Sequence, residues 1–173
     1  MNKKQAINWY FEINAYLQLL SEVYDVPLIK VAGIMSALSP NNTFKSNCKS
    51  LERFLETNGN CKVTTFNAQK NKALTILHMV NPTESEIKKV LSGLKTQSFF
   101  ENMYRPETSK SVTIDLWQIR WAKRLGILSE KDSLTPKRYR MLSDIITKVA
   151  RDLQLLPHQY QALSWVEIRG NQY

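Results

Sequence analysis

The chain has 173 residues, 43% of them hydrophobic and 23% charged, which is typical of one compact globular domain or at most two small lobes sharing a core. It has no apolar run of about 18 residues, Glu12 interrupts the apolar part of its N-terminus, and its two cysteines are too few for a disulfide framework. The net charge of +9 favours a polyanionic partner, although a soluble basic protein without one stays an open alternative. We expect a cytoplasmic monomer (in the host cytoplasm if the chain is viral) with no cofactor, no metal and no membrane contact.

Hydrophobic periodicity predicts an all-α protein of about ten helices, because apolar residues recur at three- and four-residue intervals through most of the chain. The clearest of them cover about residues 5–24, 28–38, 43–56, 67–79, 84–92, 96–103, 115–125, 137–153 and 157–168. The second is nearly all apolar and contains small residues such as Ala32 and Gly33, which indicates a buried helix with close neighbours. Val63–Phe66 has a strand-like composition, but no nearby segment offers it a partner.

Local signals predict several helix ends. Either Asn42 or Thr43 caps the third helix, and Thr83–Glu86 reads as a capping box for the fifth. Gly126 follows the seventh helix and is expected to end it.

A tight helical hairpin is predicted around Gly93, which we expect to end one helix just before the next begins. Backbone N–H groups at the start of the second helix can hold a phosphate. Lys95 lies at that start, where its amine can add phosphate affinity or serve as a nucleophile. The alternative is an ordinary helix-ending glycine followed by a solvated lysine.

Asp115 follows a short apolar run and heads a predicted helix. The positive end of a helix dipole favours a carboxylate there, and that carboxylate can polarise a water or stabilise a developing cation. The alternative is a simple helix cap. The helix beyond it is basic on one side and carries Trp117 and Trp121, which are more often core residues than base-stacking platforms.

Positive charge is concentrated around these two features. Residues 88–124 contain eight basic and three acidic residues, so this fifth of the chain carries +5 of the net charge. The concentration favours phosphate contacts over a merely soluble basic surface.

Together these features resemble the helix-hairpin-helix DNA glycosylases typified by endonuclease III. Gly93-Leu-Lys-Thr96 is similar to the end of that family's hairpin with its catalytic lysine, and Val112-Thr-Ile-Asp115 is similar to the entry to its catalytic aspartate. Arg120 and Arg124-Leu-Gly126 fit the helix that follows. The resemblance covers roughly residues 28–126. It implies a single glycosylase-like domain over residues 1–173, or two small helical lobes with the active-site cleft between them.

The resemblance implies catalytic roles for Lys95 and Asp115, which should share one cleft beside the loop of residues 39–42. It further implies DNA contacts by Asn41, Asn42, Gly93, Thr96, Lys110, Arg120 and Arg124. The sequence departs from the family pattern in keeping a single hairpin glycine, in having Trp117 where a histidine is usual, and in lacking the cysteines of an iron–sulfur cluster.

A second resemblance is to small phage-type proteins of the same superfamily, some of which are linked to hypermodified thymines in phage DNA. They share a Gly-x-Lys hairpin, a Phe-Phe pair followed by Asn, a Val-Thr-Ile-Asp segment, and a late Pro-x-Gln-x-Gln-Ala-x-x-Trp segment at residues 157–165. This resemblance implies a base pocket formed by Trp117, Gln161, Trp165 and Arg169. The last three lie on one helix face, for which core packing around a buried polar pair is the alternative.

These observations favour an enzyme that binds double-stranded DNA, with or without modified bases, and acts on a flipped base by cleaving its N-glycosidic bond. Lys95 would attack the sugar, or Asp115 would activate a water. One alternative is a transferase that displaces a leaving group on a modified thymine in phage DNA. The other is a catalytically inactive DNA-binding or inhibitory protein of the same fold.

Overall fold

The helical periodicity is realised throughout the computed structural model, which describes residues 2–169. That part of the chain contains nine helices and no strand, so the all-α prediction is confirmed. The helices are α1 (Lys3–Tyr24), α2 (Leu28–Ala37), α3 (Phe44–Glu56), α4 (Asn67–His78), α5 (Glu84–Leu91), α6 (Leu94–Tyr104), α7 (Leu116–Arg124), α8 (Pro136–Asp152) and α9 (Pro157–Arg169). Val63–Phe66 lies in the irregular connection between α3 and α4.

Several helix ends follow the local signals in the sequence. Thr43 is the N-cap of α3, and its hydroxyl accepts a hydrogen bond from the Ser46 N–H at 3.2 Å. Thr83 and Glu86 form the expected reciprocal capping box at the start of α5. Gly126 follows α7 with a φ of +71°, a left-handed conformation that glycine adopts without steric cost.

The helices gather into two compact units. Unit 1 comprises Met1–Ile13 and Glu101–Tyr173, and unit 2 comprises Asn14–Phe100. Basic residues exceed acidic ones by fourteen to nine in unit 1 and by ten to six in unit 2. Both units therefore carry a positive net charge. None of the helices in residues 2–169 has the length and hydropathy that crossing a lipid bilayer requires.

Unit 2 is built around α2, which packs on α3, α4 and α5. Every residue from Val31 to Leu38 is buried, as expected for a central helix. Gly33 allows the close approach, because an added Cβ would lie 3.0 Å from Cγ2 of Ile87 and 3.2 Å from Cγ2 of Ile76. The prediction of a buried helix with close neighbours is confirmed.

Unit 1 buries several polar side chains. Its helix α9 packs on both α7 and α8. The buried polar residues of unit 1 are Asn102, Ser109, Thr113, Gln118, His158, Gln161 and Ser164. Buried polar groups need hydrogen-bond partners, and those partners determine the geometry around Asp115.

Candidate functional site

The turn between α5 and α6 consists of Ser92 and Gly93. Ser92 is the C-cap of α5 and adopts the left-handed conformation with a φ of +61°, whereas Gly93 has no positive φ. The helix thus ends next to Gly93 as the hairpin prediction expected, but Ser92 is the left-handed residue of the turn. Lys72 of α4 holds this turn, because its ammonium donates to Ser92 Oγ at 2.8 Å and to the Leu91 carbonyl at 3.1 Å.

The start of α6 is tied to this turn by Thr96. The Thr96 hydroxyl lies 3.0 Å from the Gly93 carbonyl oxygen and 3.3 Å from that of Leu91. The Thr96 carbonyl in turn accepts a hydrogen bond from Ser36 Oγ of α2 at 2.7 Å. The Thr96 hydroxyl is thus directed into the turn, and a DNA contact by Thr96 stays a prediction.

Lys95 lies in the first turn of α6, which begins two residues earlier than the sequence predicted. Its side chain is exposed, and within residues 2–169 its ammonium makes no hydrogen bond or ion pair. The first hydrogen bond of α6 runs from the Gln97 N–H to the Gly93 carbonyl at 2.9 Å. The N–H groups before Gln97 therefore lie outside the intrahelical ladder.

The loop after α2 holds Asn41 and Asn42 in different environments. Asn41 is exposed and has a φ of +55°. Asn42 is half-buried, and its N–H donates to the Ser39 carbonyl at 3.2 Å. Thr65 Oγ1 fixes the same loop by donating to the Pro40 carbonyl at 2.8 Å.

Asp115 is the N-cap of α7 and is half-buried. Its Oδ1 accepts hydrogen bonds from the N–H groups of Trp117 at 2.8 Å and Gln118 at 3.2 Å. Gln118 Oε1 reciprocates by accepting from the Asp115 N–H at 3.3 Å. The helix begins at Leu116, one residue later than predicted, because Asp115 has extended backbone angles. The carboxylate is thus fixed at the positive end of the α7 dipole.

The segment leading to Asp115 is pinned by Tyr139 of α8. The buried Tyr139 hydroxyl donates to the Val112 carbonyl at 2.8 Å and accepts from the Ile114 N–H at 3.1 Å. One side chain therefore satisfies two backbone groups just before the aspartate.

A second set of buried hydrogen bonds holds the same segment from the end of α6. Asn102 Nδ2 donates to Thr113 Oγ1 at 3.1 Å, and Asn102 Oδ1 accepts from Ser109 Oγ at 2.6 Å. Ser109 Oγ also accepts from the Ser111 N–H at 3.2 Å. The irregular connection between α6 and α7 is thus ordered by side chains.

Gln118 and Gln161 join α7 to α9. Gln118 Nε2 donates to the Gln161 carbonyl at 3.1 Å, and Gln161 Oε1 accepts from the Tyr10 hydroxyl at 3.2 Å. Burial raises the pKa of Tyr10 well above its usual range, so the phenol stays protonated and can donate. Gln161 was predicted to line a base pocket, and it lies in the core of unit 1 as part of this network.

His158 lies next to Tyr10 and is fully buried. Its Nε2 is 2.7 Å from the Pro106 carbonyl oxygen, which makes that nitrogen the donor. Its Nδ1 has no hydrogen-bond partner within the described residues. Burial lowers the pKa of the imidazole, so the ring is neutral near pH 7.

Five residues of unit 1 form a succession of planar groups that we call the Arg–Trp ladder. The members are, in spatial order, Arg120, Trp117, Arg169, Trp165 and Trp9. From guanidinium carbon to ring centroid, Arg120 lies 4.5 Å from Trp117, and Arg169 lies 5.7 Å from Trp117 and 4.8 Å from Trp165. The rings of Trp165 and Trp9 are stacked with centroids 6.3 Å apart. The predicted pocket residues other than Gln161 thus belong to one cluster.

Basic side chains predicted to contact DNA are exposed in unit 1, namely Lys110, Arg120 and Arg124. Helix α7 carries Arg120, Lys123 and Arg124 and no acidic residue. Its polar surface is therefore suited to an anionic partner.

The predicted site residues divide between the two units. Unit 2 holds Asn41, Asn42, Gly93, Lys95 and Thr96, and unit 1 holds Lys110, Asp115, Trp117, Arg120, Arg124, Gln161, Trp165 and Arg169. That Lys95 and Asp115 share a cleft stays a prediction.

Several residues that shape the candidate site were missed by the sequence analysis, notably Tyr10, Tyr139 and Lys72. In the sequence they are unremarkable members of amphipathic helices, and their partners are distant along the chain. Gln118 carried a usable signal, because a glutamine three residues after a capping aspartate completes a capping box.

No three His, Cys, Asp or Glu side chains lie together as a metal site requires in the part of the chain that the structure describes. Comparisons with curated proteins and with solved structures each found no match. One family model matches residues 1–172, which is almost the whole chain. The protein therefore belongs to that family, the family of unknown function DUF7178.

Proposed function

We propose that this protein binds DNA and acts on one of its bases in the manner of a helix-hairpin-helix glycosylase, by cleaving the N-glycosidic bond. The setting of Asp115 carries the proposal. Its carboxylate caps a basic helix, its backbone N–H donates to Gln118 Oε1, and Tyr139 holds the segment before it. Several hydrogen bonds around one carboxylate are expected where the position of that carboxylate matters for chemistry.

The reaction would use Asp115 electrostatically. As the base leaves, positive charge develops on the deoxyribose, and a fixed carboxylate stabilises that charge or polarises the attacking water. Arg120 and Arg124 on the same helix are exposed and would contact phosphates. The target nucleotide would be flipped out of the DNA duplex to reach Asp115.

Lys95 fits a phosphate ligand better than a nucleophile. An amine nucleophile is normally activated by desolvation or by a neighbouring cation. Lys95 is exposed, and it lies in the first turn of α6, where the N–H groups before Gln97 are outside the intrahelical ladder. A phosphate there would contact both the ammonium and the helix end.

DNA binding without catalysis is the second candidate function. The observation that favours it is that Asp115 already has a structural role, because its Oδ1 bonds two N–H groups of α7. An exposed Lys95 likewise needs no catalytic explanation.

Asp115→Asn separates the two candidates, because asparagine caps helices as well as aspartate does. The variant should keep its fold and its DNA affinity while turnover falls by about 10² to 10³, the usual cost of losing transition-state electrostatics. Asp144→Asn is the matched control, since Asp144 is an exposed carboxylate on α8 of the same unit.

The readout is mass analysis of DNA, unmodified and of the phage-modified type, after incubation with each protein. Free base that appears with wild type and Asp144→Asn, but not with Asp115→Asn, supports the glycosylase. A heavier nucleoside would instead indicate base hypermodification. If the protein binds DNA tightly and the DNA stays unchanged, the result supports DNA binding without catalysis.

Lys95→Ala tests the role of the lysine. A phosphate ligand predicts weaker binding and a salt slope lower by about one unit. A nucleophile predicts loss of both turnover and borohydride trapping with binding close to normal. Lys49→Ala removes another exposed lysine of unit 2 and controls for charge alone.

A further inference from the structure

We propose that Leu116 is an apolar wedge, a side chain that enters the base stack of duplex DNA where a base is missing or has swung out. This inference rests on the proposed function in taking DNA as the partner and Asp115 as the site. It adds the form of DNA that the site selects, namely a duplex with an interrupted base stack.

Leu116 is exposed although it begins a helix whose inner face is buried. Its exposed fraction is 56%, whereas Gln118, Trp121 and Ala122 of the same helix are buried. Packing within unit 1 therefore leaves much of this leucine side chain in contact with water. A single exposed leucine is common on protein surfaces, so the position of Leu116 is what distinguishes it.

Leu116 follows Asp115 directly, in a stretch of backbone that the aspartate itself holds. The Asp115 carboxylate accepts hydrogen bonds from the N–H groups of Trp117 at 2.8 Å and Gln118 at 3.2 Å. The bonds that fix the carboxylate thus also fix the point from which the leucine side chain projects. Successive residues of a helix advance by about 1.5 Å along its axis, so a nucleotide that reaches Asp115 brings the neighbouring bases within reach of Leu116.

The charges of α7 favour a DNA strand as the neighbour of this leucine. Arg120 is exposed and lies four residues after Leu116, which places both residues on one face of the helix. The helix also carries Lys123 and Arg124 and no acidic residue. Proteins that open a duplex combine such groups, with cations on the phosphates and an apolar side chain inserted between base steps. The outer face of α7 offers both kinds of contact.

An interrupted base stack suits this side chain better than an intact one. To enter an intact duplex, the leucine must first separate two stacked base pairs, which costs free energy. Where a base is missing the gap is already present, so the leucine leaves water and contacts the flanking bases without that cost. The wedge therefore predicts tighter binding to a duplex with an abasic site than to the same duplex with all its bases.

The test compares the binding of two labelled duplexes of the same sequence by fluorescence anisotropy at low salt. One duplex is intact, and the other carries at its centre a tetrahydrofuran abasic analogue, which has no glycosidic bond to cleave. Wild type should bind the abasic duplex more tightly by about tenfold, as expected when one leucine side chain leaves water. Leu116→Ala should lose most of that preference but keep its affinity for the intact duplex and its salt slope, because no charge is lost.

Leu125→Ala is the matched control. Leu125 lies at the other end of α7 and is 59% exposed, so the same truncation there should leave the full preference for the abasic duplex. Leu116→Met retains an apolar side chain of similar volume and should keep most of the preference as well. Since both leucines are exposed, all three variants should unfold at the temperature of wild type, which thermal unfolding checks.

Three results would overturn the wedge proposal. Wild type binds the two duplexes equally, Leu116→Ala keeps the preference that Leu125→Ala shows, or Leu116→Ala weakens the binding of both duplexes alike. In each case duplex binding persists, so the proposed function stands and only the wedge falls. If neither duplex binds at low salt, both proposals fall.

Discussion

The cores of unit 1 and unit 2 differ in what they bury. Unit 2 is organised by the apolar helix α2, and its buried Ser36 and Asn47 each donate to a backbone carbonyl. Its buried Asn14 and Ser50 each form a hydrogen bond with a neighbouring side chain. Unit 1 contains buried side chains that form hydrogen bonds with one another, as Ser109, Asn102 and Thr113 do. Both cores bury many apolar side chains, and unit 1 adds an extended network of side-chain hydrogen bonds.

This contrast indicates that the two cores differ in how well they tolerate substitutions. Apolar cores accept substitution by side chains of similar volume, because van der Waals contacts and the hydrophobic effect are not directional. Buried hydrogen-bond networks accept few geometries, because each unpaired group costs free energy. Unit 1 thereby fixes the position of Asp115 closely, which is what the proposed chemistry requires.

The largest effect on stability is expected from Tyr139→Phe, which breaks the network of unit 1. It leaves the Ile114 N–H and the Val112 carbonyl buried without their partner. We expect the free energy of unfolding to fall by about 2–4 kcal/mol, since each buried unsatisfied group costs about 1–3 kcal/mol. Urea denaturation measures the loss.

The control for that variant is Tyr160→Phe. Tyr160 is half-buried in the same unit, and its hydroxyl forms no hydrogen bond within the described residues. It should change the unfolding free energy by less than about 0.5 kcal/mol. Equal losses in the two variants would contradict the importance of the network.

Gly33→Ala tests the close packing of unit 2. The added methyl group would lie 3.0 Å from Ile87 and 3.2 Å from Ile76, both fully buried. We expect a net loss of about 1–2 kcal/mol, because overpacking outweighs the higher helix propensity of alanine. At Gly93 an added Cβ meets only Thr96 Oγ1 at 3.4 Å, so Gly93→Ala should be close to neutral. If Gly33→Ala stabilised the protein, the core of unit 2 would have to rearrange to accommodate the added methyl group.

The smallest expected effect is a dependence of stability on pH that arises from His158. Burial lowers its pKa in the folded protein, so below its ordinary pKa of about 6.5 the unfolded chain binds the proton more readily. Stability from this group is therefore complete above that pH and is lost as the pH falls. Urea denaturation between about pH 5.5 and 7.5 measures the slope.

His158→Gln should remove that slope, because glutamine can donate to the Pro106 carbonyl but does not titrate. His78→Gln should keep it, since His78 is exposed and belongs to unit 2. A slope unchanged in His158→Gln would assign the dependence to other groups.

Much of the fold follows from local sequence. The helix spacing predicted all nine helices of the described residues within a few positions. Thr43 was one of two caps predicted for α3, and Thr83 was predicted from the capping box that it forms with Glu86. The site was predicted less completely. Asp115 was noticed from its place at a helix start. For Gln161 the sequence left both a base pocket and core packing open, because its burial depends on the packing of α9 against α7 and α8.

By itself the sequence determined the all-α class, several of the helix ends and the basic character of α7, because these depend on residues within one or two helical turns of each other. Only the tertiary structure decided that Ser92 rather than Gly93 takes the left-handed conformation, since Lys72 from another helix stabilises it. The same holds for the pairing of Tyr139 with the segment before Asp115, about 25 residues away along the chain. Such contacts depend on which helix faces meet, and that choice is made by the packing of the whole core rather than by any local pattern.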